Sequence, residues 1–235
     1  MITSFESRVR YSEVDETRHL SMKAIVDYMQ DACTFQSEDL GETIDYLNSQ
    51  NLAWLLASWQ VEVVKRPKLC DHIIVSTWPS RMKGFFAYRC HAIESPDGEV
   101  FARGNSIWFM MDQNTLHPVK IGQEQIDRYT PEKRLDMPFA PRRVRFPGEA
   151  EILPSVEVAK YRIDTNGHVN NSQYIQIAEE CLPADFQHSG QVRVEYVNGA
   201  KAGDIMIPKI CRTEDAVVVD LSMPDGKSYA VVEFK

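Results

Sequence analysis

Apolar residues recur at helical spacing in two places along the chain. One set is Met22, Ile25, Val26, Met29 and Cys33; the other is Tyr174, Ile177, Ala178, Cys181 and Leu182. Both follow i, i+3, i+4, i+7 spacing, which predicts a helix with one buried face. Ser21 and Asn170 stand where an N-cap belongs, because a side-chain oxygen there can accept from the free amides of the first turn. Pro183 is expected to end the second helix. Elsewhere the pattern alternates at period two, in "SWQVEVVK", "HIIVSTW", "FFAYRCHAIE" and "EVFARGNSIWFMMD", then in "QVRVEYV", "DIMIPKICR", "DAVVVDLSM" and "KSYAVVEF". These stretches predict strands. The Asp97-Gly98 and Asp225-Gly226 pairs are hairpin signals, so the strands are expected to be mostly antiparallel.

The two helices and their strands form a repeat. A shift of 149 places sets Asp15 on Asp164, His19 on His168, Ser21 on Asn170 and Met22 on Asn171, and a shift of 133 sets "VEVVKRPKLCD" on "VEYVNGAKAGD". Each copy is an α+β unit, one long helix whose apolar face needs an antiparallel sheet. Between the copies, Pro131, Pro138, Pro141, Pro147 and Pro154 crowd into a stretch without hydrophobic period, which reads as an extended connector. The expected organisation is therefore a module at 1–129, a Pro/Arg-rich linker at 130–151, and a second module at 152–235.

Composition narrows the classes. With 43% apolar and 26% charged residues in 235, the chain can bury a sizeable core. No apolar run reaches the roughly 20 residues of a membrane helix, and the N-terminus lacks a secretory h-region, so a cytoplasmic protein is expected. A formal charge of -8 opposes nonspecific nucleic-acid binding. The cysteines are odd in number and widely spaced, with no C-x-x-C or H-E-x-x-H, so neither a disulfide framework nor a metal site is expected, and no cofactor. Arg128, Lys133, Arg134, Arg142, Arg143 and Arg145 nevertheless cluster against only Glu132 and Asp136. That cluster is either a solvated linker or a docking patch for an acidic partner.

Candidate chemistry gathers at "DTNGHVNNSQYIQIAEE", from Asp164 to Glu180. If the residues before the helix run extended, Asp164, Asn166 and His168 point to one side. The helix start after Val169, around Asn170 and Asn171, would add free amides and the positive end of the helix dipole. An acid, an amide, an imidazole and an anion-stabilising helix end are the equipment for acyl transfer to water. Each residue also has a bland reading: His168 as a structural histidine, Asn170 as a cap, Asp164 and Asn166 as turn residues. The first copy keeps Asp15 and His19 but has Thr17 where the second has Asn166. No G-x-S-x-G occurs, and Cys181 lies on the apolar stripe, where a small buried hydrophobe is expected rather than a nucleophile.

The same stretch resembles the D-x-N-x-H-V-N-N-x-x-Y motif of the acyl-acyl carrier protein thioesterases. "SWQVEVVKRPKLCDHIIVSTWP", "FFAYRCHAI", "DGEVFARGNSIWFMMD", "HPVKI" and "VRVEYVNGAKAGD" resemble that family's segments in order along nearly the whole chain. The resemblance implies two tandem hotdog domains. It implies hydrolysis of a fatty acyl thioester on the phosphopantetheine arm of acyl carrier protein, in fatty acid biosynthesis. The N-terminal domain would hold the acyl chain and the C-terminal one the chemistry, with a homodimer as the assembly it leans toward. Asp164, Asn166 and His168 then carry over as catalytic residues; Asn170, Asn171, Arg142, Arg143 and Arg145 are the expected substrate-binding set, the arginines because an acidic carrier protein gives the basic cluster a partner. The family often has a Glu shortly after "E-Y" of the next strand; aligning on Glu195-Tyr196 puts Gly199 or Ala200 there. Three readings follow: His168 is the base with Asp164 orienting it, Glu195 or another acid substitutes, or activity is lost. The alternatives kept beside the hydrolase are an acyl-CoA thioesterase of the same fold and a non-catalytic acyl-thioester binding protein. Acyl length is not legible.

Overall fold

The computed structural model describes residues 1–186 and 189–235. The chain divides into two compact units, residues 1–57 with 61–140, and residues 58–60 with 141–235. Element order in the first half is β1 (Thr3–Arg8), α1 (Met22–Asp39), α2 (Ile44–Ser49), β2 (Leu52–Val63), β3 (His72–Lys83), β4 (Phe86–Glu94), β5 (Val100–Asp112), β6 (His117–Val119) and α3 (Gln123–Tyr129). The second half runs β7 (Glu151–Ile152), β8 (Val156–Glu157), α4 (Asn171–Glu179), β9 (Gln191–Tyr196), β10 (Ile205–Arg212), β11 (Val217–Ser222) and β12 (Ser228–Phe234).

In the first unit the strands lie in the order β1-β3-β4-β5-β2, antiparallel wherever register is defined, with Thr3 opposite Thr77 and Cys90 opposite Asn105. Helix α1 lies on this sheet. Met22, Ile25, Val26 and Met29 are fully buried, and the Cys33 thiol is 3.9 Å from the Thr77 hydroxyl. Ser21 caps the helix, accepting from the Ala24 amide at 3.2 Å. Burying each apolar chain contributes about 1.5–3 kcal/mol against about 1 kcal/mol for the cap, so the apolar stripe fixes the helix and the cap only sets where it starts. The interior is partly polar. His91 is fully buried, 2.8 Å from the Ser106 hydroxyl, which also accepts from Trp108 Nε1 at 2.8 Å. Burial, and then the charge of Arg89, hold the His91 imidazole well below its ordinary pKa. Arg89 itself donates to Gln36 and, at 3.4 Å, to Thr77.

The second unit orders its strands β9-β12-β11-β10-β7, again antiparallel, with Val194 opposite Val232 and Val219 opposite Ile210. Helix α4 buries Tyr174, Ile175, Ile177 and Ala178. It is half the length of α1, nine residues against 18. The apolar spacing runs on to Leu182, but Pro183 disfavours helical backbone in the residue before it. The chain tightens instead into three-residue turns, Cys181 N–H to Ala178 O and Leu182 N–H to Glu179 O, both 3.1 Å. Both Asp-Gly hairpins form, with Gly98 at φ +85° and Gly226 at φ +88°.

The Pro/Arg-rich stretch is not a solvated linker throughout. Leu135 and Phe139 pack on Trp78, Cys90 and Ala92, and Trp78 Nε1 donates to Lys133 O at 2.8 Å. Further on, Val144 and Phe146 pack on Val218 and Val231, and Arg193 donates to Pro141 O at 2.8 Å and Arg143 O at 3.2 Å. A single helix covers one face of a sheet, so apolar residues left on the other face recruit the connector. Its inward positions are Arg142, Val144 and Phe146; Arg143 and Arg145 are exposed. The change of unit falls between residues 140 and 141, inside the expected linker rather than at its ends. No helix among the described residues is long and apolar enough to cross a membrane.

Candidate active site

Asp164, Asn166 and His168 are not set on one side of an extended run. The chain passes through a short 3-10 turn at Lys160–Arg162 and then reverses: Gly167 N–H donates to Asp164 O at 3.1 Å, and Asp164 N–H to His168 O at 2.8 Å. Gly167 sits at φ +74°, where a residue without Cβ is favoured. The Asp164 carboxylate accepts from the Asn166 amide at 2.8 Å, the Asx turn that its spacing allowed. A tight loop therefore brings the three residues together. Asn166 is exposed, while Asp164 and His168 are half-buried.

The His168 ring rests on the loop between β9 and β10. A Cβ added to Gly199 would lie 2.7 Å from His168 Cδ2, 3.1 Å from Cγ and 3.3 Å from Nε2. That segment is pinned on both sides: Val169 N–H donates to Ala200 O at 2.8 Å, and Ala200 N–H donates to the Tyr174 hydroxyl at 2.9 Å. Tyr174 is 2% exposed, and its ring meets Tyr196 edge-on at 5.7 Å. Burial, opposed by the Ala200 amide and reinforced by Tyr229, Asp164 and Asp204, pushes the Tyr174 phenol up to about 12. Tyr196 donates in turn to Asn171 O at 2.9 Å.

The helix entrance is more fully occupied than the sequence implied. Asn170 is the N-cap, its Oδ1 accepting from the Ser172 amide and hydroxyl, both at 3.0 Å. Its own N–H donates to Arg162 O at 2.9 Å, and Gln173 N–H to Asn170 O at 2.9 Å. These amides hold the turn together and are not waiting for an oxyanion, so Asn170 acts as a cap. The α4 dipole remains. Glu195 also drops out as a substitute base. Tyr196 points to α4, so its neighbour Glu195 points to the opposite face, where it accepts from Val144 N–H at 3.1 Å and lies 3.6 Å from Arg142 Nη1. Arg142 is thereby separated from the exposed Arg143 and Arg145. Cys181 lies just beyond α4 with its thiol donating to Ile177 O at 3.3 Å; burial, then the Glu180 charge, push it up to about 11, unlike an activated nucleophile. Among the described residues, no group of three or more His, Cys, Asp or Glu is placed to hold a metal.

The first unit repeats the backbone hydrogen bonds of this loop, although Pro67, standing where the second unit has Ala200, has no N–H to donate. Asp15 N–H donates to His19 O at 2.8 Å, Leu20 N–H to Pro67 O at 2.8 Å, and Arg18 takes the left-handed place of Gly167 at φ +66°. Lys68 N–H to Asp71 and Lys201 N–H to Asp204 match at 2.8 Å, which confirms the register that sets Arg66 on Gly199. Here the polar trio is tied together. The Thr17 hydroxyl donates to Asp15 at 2.6 Å and lies 2.9 Å from His19 Nδ1. Burial raises the Asp15 carboxyl, but hydrogen bonds from Thr17 and His19, with the charge of Arg66, outweigh it and hold it below its ordinary value. Sequence reasoning took Tyr174 for an apolar stripe residue and Gly199 for a mere vacancy. The shift of 133 that pairs Gly199 with Arg66 was the available signal.

Comparison with known proteins gives a consistent picture. Residues 3–129 match the family model for the acyl-ACP thioesterase N-terminal domain, and residues 149–222 the model for the C-terminal domain. The chain is 26% identical over 211 residues to oleoyl-acyl carrier protein thioesterase 1, chloroplastic, of Arabidopsis thaliana, covering 79% of this chain and 56% of that protein. It is 23% identical to the oleoyl-acyl carrier protein thioesterase of Coriandrum sativum, covering 96% and 67%. The chain thus spans little more than half the length of the first of these. Among solved structures, an oleoyl thioesterase from Lactobacillus plantarum superposes with TM-score 0.88 at 27% identity, covering 100% of this chain and 95% of that one. An acyl-ACP thioesterase from Bacteroides thetaiotaomicron gives TM-score 0.90 at 21% identity, covering 99% and 96%, a likeness of fold. The architecture is accordingly two tandem hotdog domains.

Proposed function

The chain belongs to the acyl-ACP thioesterase family, and from that premise we propose that it hydrolyses a fatty acyl thioester carried by acyl carrier protein and releases the free fatty acid. The N-terminal hotdog holds the acyl chain in this reading, and the C-terminal one performs the chemistry. The observation that carries it is the half-buried His168 imidazole lying on Gly199 at the mouth of α4.

Water is the nucleophile. Its oxygen attacks the thioester carbonyl carbon while His168 takes its proton. Asp164 holds His168 in place, its N–H donating to the His168 carbonyl at 2.8 Å within the same tight turn. The oxyanion forms near the positive end of the α4 dipole, and with the amides of Asn170, Ser172 and Gln173 engaged, the side-chain amide of exposed Asn166 is the donor assigned to it. The C–S bond then breaks, and the leaving thiolate takes the proton back from His168. Arg143 and Arg145 face outward and suit an acidic carrier, whereas Arg142 is held by Glu195. A cytoplasmic setting and a homodimer go with this reading; light scattering tests the second.

The test is fatty acid release from a ladder of acyl carrier protein substrates, with one acyl chain also offered on coenzyme A. His168→Ala should lower kcat by about 10²–10⁴-fold, the range of a lost general base. No release by the native chain, with His168→Ala indistinguishable from it, would sink the proposal. Gly199, which brings no carboxylate to the imidazole, favours a second reading: a protein that binds acyl thioesters without cleaving them. Recovery of intact bound thioester after long incubation would favour that one.

A further inference from the structure

We propose that the open edge of β1, with the flank of α1 beside it, is a docking site for an extended basic segment of another protein, which adds to the first sheet as one more strand. Among the described residues β1 is the end strand of its sheet and pairs only with β3. Val9, the residue after it, turns both backbone groups to that side, its N–H donating to Asp71 O at 2.9 Å and its carbonyl accepting from Cys70 N–H at 3.0 Å. Bonding sides alternate along an antiparallel strand, so Thr3, Phe5 and Ser7 also bond toward β3, while Ser4 and Glu6 point their N–H and C=O groups away from it. Both residues are exposed. An added strand finds there the donors and acceptors it needs.

Side chains give the edge its selectivity. A groove of about 260 Å³ lies between β1 and α1, lined by Phe5 and Ser7 from the strand and by Ala24, Tyr28, Asp31 and Phe35 from the helix. The helix residues stand at i, i+4, i+7 and i+11, one stripe beside the one that packs on the sheet. Ser7 Oγ lies 3.2 Å from the Tyr28 hydroxyl, and the Phe5 ring meets the Phe35 ring edge-on at 5.1 Å. Phe35 is 46% exposed, an apolar ring that a further strand would cover. Glu13 and Asp27, also on the groove, are paired with Arg10 at 3.2 Å and Lys23 at 2.5 Å. Asp31 forms no such pair among the described residues, and burial, then the charge of Asp27, raise its carboxyl above the ordinary value. An added strand places the side chain opposite Phe5 on the α1 face of the sheet. A Lys or Arg there meets the Asp31 carboxylate and the Phe5 and Phe35 rings, and an apolar chain opposite Ser7 covers Tyr28. A second copy of this chain, paired through the same edge, brings its own Asp27 and Asp31 to the dyad and is repelled. The charge therefore selects a foreign, basic strand.

The site stands apart from the hydrolase reading and is tested by binding to the full chain. The probe is the peptide Thr-Lys-Thr-Val-Thr-Lys-Thr, whose Lys and Val side chains share one face when extended, with Thr-Glu-Thr-Val-Thr-Glu-Thr as control. In an NMR titration the cationic peptide should bind saturably and shift the amide resonances of Ser4 and Glu6 more than those of Phe5 and Ser7, and the acidic peptide should not bind. Asp31→Lys should weaken binding by about tenfold or more. Glu6→Pro removes an outward N–H and leaves the bonds to β3 intact, so it should keep the native thermal midpoint and weaken binding by about tenfold. No saturable binding of the cationic peptide up to about 1 mM, equal binding of the two peptides, or unchanged binding in Asp31→Lys overturns the proposal. So does a concentration-dependent self-association of the native chain that Glu6→Pro abolishes, which would give the edge to a second copy. If Glu6→Pro fails to fold, the amide shifts and Asp31→Lys decide.

Discussion

Replacing Tyr174 by Phe removes one oxygen and leaves a backbone amide without its partner. Ala200 N–H donates to that oxygen at 2.9 Å, and Tyr174 is 2% exposed, so water cannot readily stand in. An unsatisfied buried donor costs about 1–3 kcal/mol, while the edge-on contact with Tyr196 survives because the ring stays. For a chain of this length each kcal/mol moves the melting midpoint by roughly 2–4 °C, so a fall of about 2–12 °C is expected by calorimetry. The loss should be constant between pH 6 and 9, where the phenol is neutral in both states. Above pH 10 the native protein has a further liability. The folded pKa of Tyr174 is raised to about 12 from 10.0, so its contribution is fully present below 10 and lost as pH rises through that window. Tyr174→Phe lacks this component, and the gap between the two proteins should narrow there. A variant within about 0.3 kcal/mol of the native protein at pH 7, well below the cost of an orphaned buried amide, would refute the clamp.

His91 gives the opposite pH dependence. Its folded pKa is depressed below 6.5, so stability is fully present above that value and falls as pH drops, by up to about 1.4 kcal/mol per unit; urea midpoints from pH 8 to 5 should show the slope, and His91→Asn should flatten it. Asn170→Ala should cost about 1 kcal/mol, read by urea melts, with rescue by Asp or Ser; no change would mean that Asn170 is not the cap. Arg143→Glu with Arg145→Glu should raise KM for a carrier-protein substrate more than it lowers kcat, and the effect should shrink with salt. Arg142→Glu by itself should act on stability, by no more than about 1 kcal/mol for a partly exposed pair.

Period-two and helical patterns located the long strands and both helix starts, because each of those elements buries one face and the sequence must alternate to match. β1 escaped notice: "TSFESR" alternates, but only Phe5 along it is apolar. The length of α4 was misjudged because apolar spacing continues past the point where Pro183 stops the helix. At the site, residue types were legible and directions were not. Asp164, Asn166 and His168 are close in sequence whether the chain extends or turns, and Gly167, which the turn needs at positive φ, was the clue. Glu195 could be assigned to a face only once Tyr196 was seen bonded to Asn171. Of the amides after Val169, those of Asn170, Ser172 and Gln173 were lost to Arg162 and Asn170, partners that no spacing rule identifies.

The way the proline-rich stretch packs dictates how the chain can be cut. A gene truncated after residue 129 would leave Trp78, Cys90 and Ala92 without Leu135 and Phe139, so the product should be sticky and poorly expressed. One begun at residue 152 would strip Val218 and Val231 of Val144 and Phe146 and leave Arg193 without its two carbonyl acceptors. A protease offered the whole chain should find few entry points between residues 133 and 146, despite a linker-like composition that on paper marks the stretch as open. Even a cut at the Ala140–Pro141 bond, where the connector changes unit, would take residues 58–60 away from the second unit, to which they belong.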